Sequence, residues 1–314
     1  MDPKMDEEDL DRKAVFKILL VLTIFVLMSI AFLWCLYRRN VLGILAVITV
    51  VVAVVIGFYV NIPVSVATTI ANVNVESIAQ NAATNIERFR GRDKTAFVVG
   101  YTGETGKELV KELAKTKIFS KVTLIGRRNV QLSKELLGQD FNVQRVIDFE
   151  KLEESADVFK GHDVGYSCLG ASLDKVGREG FLRVDRDYVL KIAELSRKGG
   201  TTHFNLISSQ GADKSKDHLY FYMKGVVEEE MKSVGFKRLS IYRPGLLMCD
   251  RNESRGYDMI LQKLLTPFQL FSPGLVTTPT TTLAKAMVHV TVAPSKEPFE
   301  LYDGKAIHKS TLTA

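Results

Sequence analysis

The sequence predicts an α/β domain, a doubly wound parallel sheet with helices on both faces, preceded by a helical hairpin that crosses a membrane. Three observations carry that prediction. Short β-branched runs alternate with longer amphipathic segments from residue 95 to residue 302. The first run ends in glycines spaced by three, Gly100, Gly103 and Gly106. Residues 14–60 are almost wholly apolar, which gives a soluble domain no polar face to turn to water.

The elements follow in order. Residues 1–13 are a charged tail. The runs 14–37 and 41–60 each approach or exceed the roughly 20 residues that a helix needs to cross hydrocarbon, and only Arg38, Arg39 and Asn40 part them. Two antiparallel spans put both ends on one side. The alternative is one span, with the second run lying shallow. Lys4, Arg12, Lys13 and Lys17 favour an inside N-terminus. Three widely spaced cysteines without C-x-x-C favour a reducing compartment. The expectation is an integral membrane protein with its catalytic domain in the cytosol. Residues 61–94 read as a linker, and 95–314 as the α/β domain.

Within that domain strands are expected at 95–99, 121–126, 143–149, 164–170, 202–209, 238–243 and 299–302. Helices are expected at 107–117, 151–159, 181–198, 218–234 and 283–292, and irregular chain at 171–180 and 250–278. Alternation at this spacing means right-handed crossovers and a parallel sheet. A net charge of +6 without a Lys/Arg run interleaved with aromatics excludes a dedicated nucleic-acid binder. No spacing suggests a metal site.

The stretch TAFVVGYTGETG, 95–106, turns from strand to helix on glycines. Gly100 permits the tight turn, Gly103 lets a pyrophosphate reach the backbone, and Gly106 lets the helix pack on the strand. This is the device of a Rossmann-type dinucleotide site. The second strand ends in Arg127 and Arg128, where an acidic residue would bind the ribose of NAD. Arginine there suits the 2′-phosphate of NADP. Tyr220 and Lys224 form Y-x-x-x-K on one helix face, and Ser208 and Ser209 close the preceding strand. Tyrosine as proton donor, lysine on the nicotinamide ribose and a serine orienting the substrate oxygen make a short-chain dehydrogenase site. Periodicity leaves open which serine faces it.

Long runs, among them FSKVTLIGRR (119–128), DFEKL (148–152), GHDVGYSCLG (161–170), EGFLRVDRDYVLK (179–191), HFNLISSQGADKS (203–215), YRPGLLMCDRNESR (242–255) and KAIH (305–308), resemble the oxidoreductases related to HIV-1 Tat-interacting protein 2. The resemblance spans about residue 94 to 310 and stops short of the apolar runs. It implies an atypical short-chain dehydrogenase that binds NADPH. Cofactor contacts are assigned to Thr102, Gly103, Glu104 and Thr105, to Arg127, Arg128 and Asp148, and to Leu169 and Gly170. Tyr220, Lys224, Leu247 and Arg255 complete the set. The turn carries Tyr101 and Thr102 where the family usually has small residues.

Two functional readings result. The first is a membrane-anchored, NADPH-dependent oxidoreductase reducing an unidentified small-molecule carbonyl. The second is an NADPH-sensing module that binds a regulatory protein partner, since the family is associated with apoptosis and growth control. The expected partners are thus a small-molecule substrate, the lipid bilayer and a possible regulatory protein.

Overall fold

The computed structural model describes residues 83–131, 142–248 and 277–312, all within the unit Asn74–Ala314. Helix α1 (83–90) leads into β1 (Thr95–Val99). There follow α2 (Glu104–Thr116), β2 (Lys121–Gly126), β3 (Asn142–Val146), a 3-10 segment (Phe149–Phe159) and β4 (Val164–Ser167). Helix α3 (Leu173–Leu182) runs through a π segment (Arg183–Tyr188) into α4 (Val189–Lys198). The chain continues as β5 (His203–Ile207), α5 (Leu219–Ser233), β6 (Arg238–Arg243) and β7 (Leu246–Met248). It ends in β8 (Thr277–Pro279), α6 (Thr280–Val292), β9 (Phe299–Asp303) and α7 (Gly304–Leu312).

Seven parallel strands pair in the order β3-β2-β1-β4-β5-β6-β9. The order reverses between β1 and β4, and ligands of such sheets bind at that reversal, outside the carboxyl ends of the strands. β1 shows why both faces need cover. Its side chains alternate, so Ala96 and Val98 join Leu109 and Leu113 of α2 and Leu283 and Met287 of α6. Phe97 and Val99 turn the other way, to Phe159, Ile192 of α4 and Met231 of α5. Leu109 and Leu113 are fully buried, and truncating either to alanine costs about 2–5 kcal/mol. Helix α2 stops where Lys117 takes a left-handed conformation, φ 49°, and its N–H bonds the Leu113 carbonyl.

Several elements differ from expectation. The helix expected at 151–159 is a 3-10 segment broken at Lys151 and Ser155. Asp148 sets this tighter winding: its carboxylate accepts the Glu150 N–H at 2.9 Å, and its carbonyl accepts Lys151 N–H at 3.1 Å. Residues 171–180, expected as irregular chain, lie mostly in α3, which kinks at Gly177, φ 67°. The single helix expected at 181–198 contains the π segment, whose wider turn buries Asp185 and Tyr188. Helix α7 was not expected; it is short and polar, and Asp303 caps it through the Ala306 N–H at 2.8 Å.

The hairpin expected over 14–60, the tail 1–13 and the linker as far as residue 82 lie outside the described residues. Among the described residues no helix is long and apolar enough to cross a membrane.

Candidate functional site

The glycine turn is set by backbone approach. Gly100 has φ 76°, and a Cβ there would lie 2.5 Å from the Cys168 carbonyl oxygen, because the chain leaving β4 runs against the turn. A Cβ on Gly106 would lie 2.2 Å from the Gly100 oxygen. Gly103 is different: its Cβ would meet one atom, the Gly100 oxygen at 3.3 Å, and would otherwise occupy open space. Helix α2 begins behind Gly103 with no side-chain cap. The N–H groups of its first turn therefore face a cradle that a methyl group would fill, and this fits a phosphate. Thr102 and Gly103 are exposed beside it. The Glu104 carboxylate turns to Lys107 at 3.1 Å, so at Glu104 it is the backbone that faces the cradle.

One cleft is lined by Gly100, Thr102, Gly103, Arg127, Arg128 and the Leu169–Gly170 lip. Both arginines are exposed and have no ion-pair partner among the described residues. The turn that carries them is pinned from below by Tyr101, which is 2% exposed. Its hydroxyl lies 2.8 Å from Gln144 Oε1 and 3.3 Å from the Arg128 oxygen, and its ring underlies Gly126. Gln144 in turn bonds the N–H and the carbonyl of Val130. The bulky residue in the glycine turn thus has a structural task that its sequence position did not reveal. Asp148 is exposed next to Phe149, which lines the cleft. Cys168 also lines it, and desolvation pushes its thiol up to about 12, which favours the neutral thiol over the thiolate.

The second half of the site lies on α5 and its neighbours. Tyr220 is half-buried, its ring 5.6 Å from that of Phe181 and 6.0 Å from Lys224 Nζ. Lys224 is 8% exposed and Asp185 3% exposed. Lys224 Nζ lies 2.7 Å from Asp185 Oδ1, and Asp185 Oδ2 accepts the Ala171 N–H at 2.7 Å. Removing one member of such a pair leaves an uncompensated buried charge, at a cost of about 3–5 kcal/mol. Asp185 escaped the sequence reading because its wider helical turn has no 3.6-residue signature. The two serines part ways. Ser208 is buried, and its hydroxyl donates to Glu228 Oε1, which also takes Arg243. Ser209 is half-exposed, and among the described residues its hydroxyl meets the Gln210 carbonyl at 3.3 Å. Leu247 packs on the core cluster of α2 and α6 and is not one of the residues that line the cleft. Arg255 lies outside the described residues.

An NAD(P)H-binding family model matches residues 100–236. The chain is 47% identical over 222 residues to protein HTATIP2 of Rattus norvegicus, covering 70% of this chain and 90% of that protein. It is 31% identical over 165 residues to protein fmp52, mitochondrial, of Emericella nidulans, covering 52% of this chain and 71% of that protein. Among solved structures it resembles a short-chain type dehydrogenase/reductase from Mycobacterium ulcerans, with TM-score 0.51 and 18% identity over 68% of this chain and 90% of that one. The last likeness establishes the fold. These findings also correct the expected placement as an integral membrane protein with a cytosolic domain. No described helix is long and apolar enough to span, and the fungal relative is named mitochondrial.

Proposed function

The chain belongs to the family of protein HTATIP2 and carries an NAD(P)H-binding domain, and from that premise we propose that it is an NADPH-dependent oxidoreductase of the short-chain dehydrogenase type, reducing a carbonyl group on a small molecule. One observation carries the reading: Asp185 takes Lys224 Nζ at 2.7 Å and the Ala171 N–H at 2.7 Å, and so ties the helix of Tyr220 and Lys224 to the Leu169–Gly170 lip of the cleft that holds the glycine cradle and the arginine pair. The first-turn N–H groups of α2 hold the pyrophosphate, and Arg127 and Arg128 take the 2′-phosphate. Thr102, Leu169 and Gly170 shape the cleft between. The reduced nicotinamide supplies a hydride when bound.

The chain's own groups manage the proton. Tyr220 holds its hydroxyl proton for the carbonyl oxygen, which becomes an alcohol, and Phe181 fixes the ring that carries it. Ser209 donates a hydrogen bond to the same oxygen and stabilises the charge that develops there. Lys224 anchors the nicotinamide ribose from a buried position. Purified protein incubated with NADPH and a panel of carbonyl compounds tests the reading, with Tyr220→Phe as the control. The expected outcome is consumption of NADPH by the wild type and none by the variant, while NADPH affinity stays nearly unchanged. Full turnover by Tyr220→Phe on a genuine substrate refutes the assignment. Absence of any substrate, together with a protein partner whose binding follows NADPH occupancy, transfers the case to the sensing module.

A further inference from the structure

Asp185 has no chemical task in the reading above, yet it is among the most buried charged groups described and sits between the two halves of the site. Its two oxygens do different work. Oδ1 lies 2.7 Å from Lys224 Nζ on α5, and Oδ2 accepts the N–H of Ala171, the residue after the Leu169–Gly170 lip. A Cβ added to Gly170 would lie 3.8 Å from Oδ1, so the carboxylate backs directly onto the lip. The π segment aims it there, and Val184, one residue earlier, lines the cleft itself. A lysine side chain has four rotatable bonds and a strongly hydrated ammonium. It adopts one buried position only where a counter-charge holds it.

We propose that Asp185 is a positioning residue for the nicotinamide half of the cofactor site: it fixes Lys224 against the lip of the cleft, and the cofactor's nicotinamide ribose is gripped only while that contact holds. The proposal rests on the assignment of Lys224 to that ribose. It makes a selective demand. The adenosine half is held at the arginine end and does not depend on Asp185, whereas the nicotinamide half does.

The test compares two probes on the full chain: NADPH, and adenosine 2′,5′-bisphosphate, which has the adenosine half and lacks the nicotinamide. Asp185→Asn keeps an oxygen for the Ala171 N–H and removes the charge facing Lys224. It is expected to weaken NADPH by about tenfold or more and to leave the bisphosphate within about twofold, inside the scatter of surface-type effects. Lys224→Gln is expected to show the same selectivity. The double variant Asp185→Asn/Lys224→Gln, which has no buried charge left to destabilise the fold, is expected to bind NADPH no more weakly than Lys224→Gln. Equal weakening of both probes by Asp185→Asn overturns the proposal, because it reports general damage. So does a double variant whose losses multiply. Wild-type NADPH affinity in Asp185→Asn, beside a clear loss in Lys224→Gln, overturns the proposal alone. Wild-type affinity in Lys224→Gln overturns the assignment of Lys224 as well.

Discussion

Replacing Gly106 with alanine and, separately, Gly103 with alanine separates what the glycine turn does for the fold from what it does for the ligand. In Gly106→Ala the new Cβ would stand 2.2 Å from the Gly100 oxygen, 2.7 Å from Tyr101 Cα and 2.9 Å from the Gly100 carbonyl carbon. All three are backbone atoms, so no side-chain rotation relieves the overlap. Gly100 cannot retreat either, since its own missing Cβ would be 2.5 Å from the Cys168 oxygen. Alanine improves helix propensity by roughly 0.5–1 kcal/mol, while overpacking a close backbone contact costs roughly 1–3 kcal/mol. With backbone on every side the upper part of that range applies, and the net loss is about 1–2 kcal/mol. Gly103 has φ −75°, which any residue adopts, and a Cβ there meets only the Gly100 oxygen at 3.3 Å. Gly103→Ala is expected to keep stability within about 0.5 kcal/mol. Its methyl group fills the cradle, so NADPH affinity falls by about tenfold or more. Urea unfolding of the free protein reads the first quantity, and NADPH fluorescence titration the second. Unchanged stability in Gly106→Ala refutes the close-packing argument. Wild-type NADPH affinity in Gly103→Ala refutes the placement of the pyrophosphate.

Arg127→Ala/Arg128→Ala is expected to weaken NADPH by about 2–4 kcal/mol, tens to several hundredfold, and to leave NADH unchanged; equal wild-type affinities for the two dinucleotides reject the 2′-phosphate assignment. Ser209→Ala is expected to cut turnover on a substrate found in the carbonyl panel by about tenfold or more. Ser208→Ala, which takes a donor from Glu228, is expected to cost about 1–3 kcal/mol of stability with turnover retained, and the reverse pattern in rates and urea midpoints exchanges their roles. Burial, the foremost cause in each case, holds His162, His203, His289 and His308 below the ordinary histidine value. The unfolded chain takes up protons as pH falls below about 6.5, before the folded chain does, so this stability is full above that pH and is lost progressively below it. His203, the most deeply buried of them, contributes up to about 1.4 kcal/mol per pH unit in that window, and a His203→Gln slope between pH 6.5 and 5 as steep as the wild type's counts against this account.

The parallel sheet was legible because each strand declares itself locally. VTLI in β2 and FNLI in β5 are buried on both faces, and such strands are near-continuously apolar, their polar members Thr123 and Asn205 being partnered by His162 and Tyr242. The cofactor cradle was legible for a related reason, since backbone that touches backbone admits only glycine. What stayed hidden depends on side chains distant in sequence. Tyr101 looked like an intrusion into a turn of small residues until Gln144 appeared as the partner of its hydroxyl. Asp185 looked like one of several charges on a helix, because its burial comes from the π segment and not from periodicity. The helix expected at 151–159 failed because an aspartate at its start serves a 3-10 turn as readily as an α-helical one.

Helix α5 explains why two adjacent serines have different fates. Tyr220, Lys224 and Glu228 are four residues apart, so one stripe of the helix presents all three. Each meets a different element: Tyr220 meets Phe181 of α3, Lys224 meets Asp185 of the π segment, and Glu228 meets Ser208 and Arg243 at the ends of β5 and β6. Glu228 is 3% exposed, and a carboxylate so deeply buried must be saturated with donors. It therefore claims the serine hydroxyl that the strand turns inward. The next serine, just past the end of β5, is half-exposed and stays out of that buried network. The anchor of the helix and the exposed hydroxyl of the proposed site thus sit on adjacent residues. Removing Glu228 would leave the Ser208 hydroxyl and the Arg243 guanidinium without their shared acceptor and leave Ser209 untouched.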